Sequence, residues 1–205
     1  MNTINKEIQT NLTIEEVKQI LVDGNERFVK NTTLNRDLLS QVRETSNGQF
    51  PHTVVLGCID SRVTTEQVFD LGIGDSFNTR IAGNIVNDDI LGSLEYACKV
   101  VGAKLILVIG HTRCGAITSA CQGVELGKIT GLLSKIKVSV DKISASVEDI
   151  TTNESIDLVV KENVLNSMSE IRNGSEIISE MVENGEVAIM GGIYNVENGV
   201  VTFLS

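Results

Sequence analysis

Along the first 45 residues, apolar side chains recur every three or four positions: Ile14, Val17, Ile20, Leu21 and Phe28, then Leu38, Leu39 and Val42. That spacing lays one apolar stripe along a helix. It predicts a helix from about residue 14 to about residue 30, opened by Thr13 with Glu16 placed to close a capping box, and a second over 36–44. From residue 53 the rhythm changes to short continuous apolar runs at 53–57, 104–109 and 186–194, with a less apolar one at 76–81. Such runs read as strands buried on both faces. Helical patterns separate them: 64–71 ending at Gly72, 88–100 ending at Gly102, 115–123, then about 129–147, about 154–172 and a shorter helix capped by Ser175. Strands alternating with helices imply a parallel sheet with right-handed crossovers. Residues 195–199 then turn the chain into an antiparallel edge strand over 200–204. The predicted class is α/β: a central mostly parallel sheet with flanking helices, an antiparallel C-terminal edge strand and an N-terminal helical arm. The arm precedes every strand it could cover, so its apolar faces must meet something made later, such as a second subunit.

Length and charge narrow the function classes. A chain of 205 residues with 41% hydrophobic content suits one domain spanning 1–205. A net charge of −10 argues against a nucleic-acid partner, which needs a basic face. No apolar run approaches the ~20 residues of a membrane span, and the opening residues lack the apolar core of a signal peptide. The expectation is therefore a cytoplasmic protein with no membrane partner, whose four cysteines stay reduced. Cys98 and Cys121 fall on apolar helical faces and read as core, and His52 reads as a solvated loop residue.

Two reactive stretches follow two of the predicted strands: Cys58-Ile59-Asp60-Ser61-Arg62 and His111-Thr112-Arg113-Cys114. In an extended backbone alternate residues share a side, so Cys58, Asp60 and Arg62 face one cavity if the extension persists. His111 and Cys114, three apart, suit one side of a helical turn whose N-terminus favours the Cys114 thiolate. The carboxyl ends of parallel strands are also where open α/β sheets place their ligands. A catalytic Zn2+ takes three protein ligands and keeps a fourth position open, and Cys58, His111 and Cys114 make a Cys2His set. The same three residues equally fit two small buried cysteines and a core histidine. Asp60 and Arg62 shift the balance, because a hydrolytic metal site needs a base and a group to orient it, whereas a closed structural site needs neither. Without a metal they reduce to an ion pair worth about 1 kcal/mol or less if exposed.

With Arg80-x-Ala82-Gly83-Asn84 and Gly92-Ser93-Leu94-Glu95-Tyr96 between them, and with Gly24-Asn25-Glu26-Arg27-Phe28 and Gly191-Gly192-Ile193-Tyr194 near the two ends, these stretches resemble the β-class carbonic anhydrases. The resemblance implies reversible hydration of carbon dioxide to bicarbonate by hydroxide on Zn2+. Cys58, His111 and Cys114 would hold the metal and Asp60 with Arg62 would form the catalytic dyad, Asp60 being able to close onto the metal. It also implies a homo-oligomer, dimer or tetramer, in which residues 1–48 pack on a partner subunit and the sites lie at the interface. Gln49, Phe77 and Gly115 match pocket positions for this small substrate. Read without the family, Gln49 is an exposed loop amide and Phe77 a core residue. Members inhibited by bicarbonate carry a tryptophan where this chain has Val55, so that regulation is not expected, although Arg80 and Tyr194 match its other positions. Plant members have a further pocket tyrosine, for which no counterpart is expected. Hydrolysis of carbon disulfide or carbonyl sulfide on the same scaffold, and a zinc-containing protein without activity, are the alternatives.

Overall fold

β1 (Thr53–Gly57) and β3 (Leu105–His111) are buried along their whole length, which is why both are nearly unbroken apolar runs. The computed structural model describes residues 3–204 and places these strands side by side in one five-stranded sheet. β2 (Ser76–Arg80) lies outside β1, and β4 (Ala188–Tyr194) lies beside β3, all parallel; β5 (Val201–Leu204) closes the far edge antiparallel to β4. β3 runs past the predicted end at residue 109 and includes His111, because its pairing with β4 continues to His111 opposite Tyr194.

The N-terminal region holds three helices: α1 (Lys6–Asn11), which the hydrophobic pattern did not reveal, α2 (Ile14–Val29) and α3 (Leu38–Thr45). α2 opens with the expected capping box between Thr13 and Glu16. α4 (Thr65–Val68) is one turn, shorter than expected, because Asp70 adopts a left-handed conformation with φ 46°. α5 (Asp88–Glu95) widens into a π-type turn over Tyr96–Val101 and ends at Gly102, where φ is 99° and glycine carries no penalty. α6 (Gly115–Cys121), α7 (Gly127–Ser144), α8 (Asn153–Gly174) and α9 (Glu176–Glu183) follow. Among the described residues no helix is long and apolar enough to cross a membrane.

Alternation along the central strands divides the core between the two faces of the sheet. Val54, Leu56, Ile106 and Val108 pack with Leu94 of α5, Val164 and Ile171 of α8 and Ile178 of α9. Val55, Leu105, Leu107 and Ile109 pack with Val17 and Leu21 of α2 and with Phe69. The expected dependence of the whole 1–48 arm on a partner therefore needs correction: α2 covers this chain's own sheet. The physical reason is the second sheet face, whose large aliphatic side chains are covered by the Val17 and Leu21 stripe of α2. Besides Val29 and Leu34, the exposed large apolar side chains of the arm lie on α3, where Leu38, Leu39 and Val42 are 52%, 71% and 48% exposed. A third cluster, built from α6, α7 and α8, surrounds Cys58 and Cys114; Cys121 lies in it and Cys98 in the first, so both are core as expected.

α2 is fixed to the sheet by close approach and by one amide. A Cβ on Gly24 would lie 1.9 Å from the Phe69 carbonyl oxygen, so only glycine lets the helix come this near. The buried Asn25 side chain donates from Nδ2 to the carbonyls of Val68 (3.1 Å) and Gly199 (2.9 Å), and its Oδ1 accepts from the Val201 N–H (2.9 Å). Asn25→Ala should lower the unfolding free energy by roughly 2–4 kcal/mol, since each buried polar group left unpaired costs about 1–3 kcal/mol. Urea denaturation checks this, and a loss below about 0.5 kcal/mol would show that the amide does not hold α2 in place.

Candidate metal centre

The chain leaves β1 at Gly57, and the extension lasts only as far as Asp60. There a turn begins, closed by the Val63 N–H donating to the Asp60 carbonyl at 3.1 Å. Cys58 points inward and Ile59 outward, as strand alternation requires. Arg62 reaches the site by a different route from the one expected: it lies within the turn and folds back onto Asp60. Its N–H and Nε each donate to Asp60 Oδ1 at 2.9 Å, its Nη2 donates to Oδ2 at 2.8 Å, and the same Nη2 reaches the Arg113 carbonyl at 3.2 Å.

The second stretch also departs from the helical-turn expectation. His111 is the last residue of β3, and the Thr112 N–H still donates to the Tyr194 carbonyl at 3.0 Å, so the backbone remains tied to β4 there. Arg113 then reverses the chain in a left-handed conformation, φ 58°, and Cys114 becomes the N-cap of α6.

These two turns bring Cys58, His111 and Cys114 together, all buried, with their ligand atoms within 4.8 Å of one another. The two sulfurs are 4.0 Å apart, far beyond the ~2.05 Å of a disulfide. Two thiolates held tetrahedrally at ~2.3 Å from one ion would stand about 3.8 Å apart, so the spacing fits a shared divalent cation. His111 Nδ1 lies 3.0 Å from the Thr112 carbonyl, which accepts a hydrogen bond when Nδ1 carries the proton and thereby leaves Nε2 with its lone pair. Nε2 is buried and has no hydrogen-bond partner. An orphan imidazole nitrogen beside two sulfurs could hold a metal ion. Between the sulfurs, the hydrogen bond from Cys114 draws the Cys58 thiol down to about 4 against the effect of burial, with His111 and the N–H groups of Gly83 and Asp60 adding to it. That contact, with burial, pushes Cys114 up. The opposite directions describe one proton between two sulfurs, and a cation bound by both displaces it.

Asp60 stands next to this cluster and outside it: its Oδ2 is 3.9 Å from His111 Nε2, and the side chain is 16% exposed. Hydrogen bonds from Arg62 hold the carboxyl down at about 2, although partial burial opposes them. Because the folded value is depressed, the stability Asp60 contributes is complete above its ordinary value of 3.8 and is lost only as pH falls through about 2. Arg80, assigned no catalytic role from the sequence, braces the same loop, donating from Nε to the Cys58 carbonyl at 2.9 Å and from Nη2 to the Asp60 carbonyl at 2.6 Å.

Residues 53–201 match the family model described as carbonic anhydrase. Carbonic anhydrase 2 of Mycobacterium tuberculosis is 34% identical over 184 residues, covering 87% of each chain. A solved β-carbonic anhydrase from Coccomyxa, in complex with acetazolamide, superposes with a TM-score of 0.74 at 25% identity, covering 90% of this chain and 84% of that one. The chain belongs to the β-class carbonic anhydrases. Carbon dioxide hydration is the general reaction of this family, and the chain is an enzyme of that class. A structure from work on two tetrameric β-carbonic anhydrases of Sordaria macrospora shares the fold, with a TM-score of 0.73 at 20% identity over 92% of this chain and 97% of that one.

Of the remaining residues matched to the carbonic anhydrase pocket, Gly115 adjoins Cys114, whereas Gln49 and Phe77 lie toward the other end of β1. Gln49 is exposed in the loop before β1. Phe77 pairs with Val54 near the start of β1, whereas Cys58 follows its end. The Phe77 ring packs on Tyr96, 6.2 Å between centroids, and both line a cleft of about 520 Å3 with Asn78, Asp88 and Ser93. Tyr96 thus supplies a second aromatic wall beside Phe77, which the sequence reading did not anticipate because the contact crosses from β2 to the helix after α5. Gly115, the first residue of α6, is exposed, and a Cβ there would meet nothing within 4 Å. His52 is buried rather than solvated: its N–H donates to the Asp75 carbonyl at 3.0 Å and its Nδ1 contacts Thr53 Oγ1 at 2.7 Å. Burial lowers its pKa to about 4, so it is neutral at physiological pH.

The purified enzyme should contain one divalent ion per chain, and Cys58→Ala and Cys114→Ala should each lose most of it. Elemental analysis by mass spectrometry gives the answer, and full metal retention in both variants would refute the cluster as a binding site.

Proposed function

We propose that the chain hydrates carbon dioxide reversibly with Zn2+ held by Cys58, His111 and Cys114, that Asp60 is the proton acceptor, and that Arg62 holds Asp60 in place. The observation that carries this reading is the position of Asp60, whose Oδ2 stands 3.9 Å from the free His111 Nε2 while Arg62 engages both of its oxygens. Two thiolates and an imidazole suit the borderline-soft Zn2+ better than the oxygen-seeking Mg2+ or Ca2+.

When bound, Zn2+ would lower the pKa of water to about 7 and so would make hydroxide available at neutral pH. Asp60, ionised throughout the neutral range, accepts a hydrogen bond at Oδ2 from the nucleophile's O–H and aims its lone pair at the substrate carbon. Arg62 makes three charge-assisted hydrogen bonds to that carboxylate and keeps it off the ligand cluster. Gly115 leaves space beside Cys114 for a small substrate.

The same reading supplies a reason for two surfaces that face away from the cluster. Gln49, Phe77 and Tyr96 serve the site of a second copy, and the exposed leucines and valine of α3 are covered when that copy binds. A homo-oligomer, dimer or tetramer, is therefore the working form. Bicarbonate and carbon dioxide are its small-molecule ligands.

Stopped-flow hydration of carbon dioxide tests the proposal. Asp60→Asn, which keeps the shape and removes the acceptor, should lose about 10²- to 10⁴-fold in rate, roughly 3–5 kcal/mol of barrier, with metal content unchanged. Arg62→Ala should likewise keep its metal and lose activity. Asp60→Asn within a few-fold of wild type would reduce the dyad to a structural pair. A zinc-loaded wild type inactive at every pH would make the protein a scaffold instead.

For the assembly, analytical ultracentrifugation of wild type and Leu39→Asp should show an oligomer and a shift toward monomer, respectively. An active wild-type monomer at micromolar concentration would rule out the shared site.

A further inference from the structure

Cys58 is held by more than the cluster it belongs to. After β2 the chain makes a single 3-10 turn, Ala82–Asn84, in which Gly83 has φ 69° and Asn84 has φ 42°. Two successive left-handed residues are an arrangement that is unfavourable at the non-glycine position. This arrangement aims the Gly83 N–H at the Cys58 sulfur, 3.4 Å away. The opposite side of the turn is gripped by α8: Asn163 Nδ2 donates to the Gly83 carbonyl at 2.8 Å, and Ser167 Oγ donates to the Asn84 carbonyl at 3.0 Å.

Asn163 and Ser167 are one helical turn apart on the same face of α8, and both are buried among valines 159, 160 and 164. Asparagine is a poor interior helix residue, and burying its amide is costly unless it is paired. Its pairing here is the Gly83 carbonyl. The turn also has little room to move toward its neighbours, since a Cβ on Gly83 would lie 2.6 Å from the Ile136 side chain and 3.4 Å from Ala116 Cβ.

We propose that Asn163 and Ser167 are positioning residues for the metal centre: by gripping the Gly83 and Asn84 carbonyls they fix the Ala82–Asn84 turn, whose Gly83 N–H meets the Cys58 sulfur. The inference rests on the reading of Cys58 as a metal ligand. A hydrogen bond to a ligating thiolate withdraws charge from it and fixes its direction, and outer partners of this kind typically change metal affinity 10- to 100-fold.

The test measures two quantities other than activity: the zinc dissociation constant, by competition with a chelator, and the thiolate-to-cobalt charge-transfer band of the Co2+-substituted enzyme. Asn163→Ala should weaken zinc binding by about 10- to 100-fold and shift the band. Ser167→Ala should act in the same direction to a smaller extent. Val164→Ala, on the same helix but packed over Gly110 and Gly191, controls for lost packing and should leave both quantities unchanged. Wild-type affinity and band in Asn163→Ala, or equal changes in Val164→Ala, would overturn the clamp alone. If Asn163→Ala does not fold, Ser167→Ala decides, and a wild-type band and affinity there would overturn it as well. A wild-type protein that binds no zinc would overturn the metal site and the clamp together.

Discussion

The in-register parallel pairing of β1 with β3 is the constraint on which the site depends. Gly57 stands opposite Ile109 and β3 continues to His111, so the residues that follow the two strands emerge at the same sheet end. Each strand is short, and what holds the register is burial on both faces, because a slip of one residue would exchange the two apolar sets that α2 and α8 are shaped to cover. β2 pairs with β1 in the same sense and ends at Arg80 opposite Gly57, which brings that guanidinium to the Cys58–Asp60 loop.

Charge at the centre is arranged by small deviations from regular structure. The Asp60 turn lets Arg62 fold back, the left-handed Arg113 places Cys114 at the start of α6, and the left-handed pair Gly83–Asn84 presents an N–H to sulfur. Each deviation is anchored by hydrogen bonds from a neighbouring element: Arg62 to the Arg113 carbonyl, Thr112 to Tyr194, α8 to the Ala82–Asn84 turn. Thiolates and a carboxylate crowded into one place require positive partners. In a chain of net charge −10, Arg62 and Arg80 supply them locally.

Packing separates the N-terminal arm into two parts with different partners. α2 carries the Val17 and Leu21 stripe that the second sheet face needs, with Gly24 and Asn25 allowing and fixing the approach. α3 keeps Leu38, Leu39 and Val42 in solvent. An apolar helix face left over after the chain's own core is complete is the kind of patch that marks an interaction site.

The amino-acid sequence by itself determined the order of strands and helices from α2 onward, the capping of α2, the parallel character of the sheet and the donor types at 58, 111 and 114. These follow from local rules: periodicity, capping chemistry and the donor properties of thiolate and imidazole. It also carried the family motifs, Asp60 and Arg62 among them. Only the tertiary structure decided that Arg62 reaches Asp60 through a turn, that His111 belongs to a strand, that α2 lies on its own sheet, that Tyr96 backs Phe77 and that His52 is buried. Each of those depends on a contact between residues distant along the chain or on a left-handed backbone residue that no hydrophobic pattern marks. Asn163 is the clearest case. In sequence it is one polar residue in a long amphipathic helix, and its role exists only because the fold sets α8 against Gly83, 80 positions away.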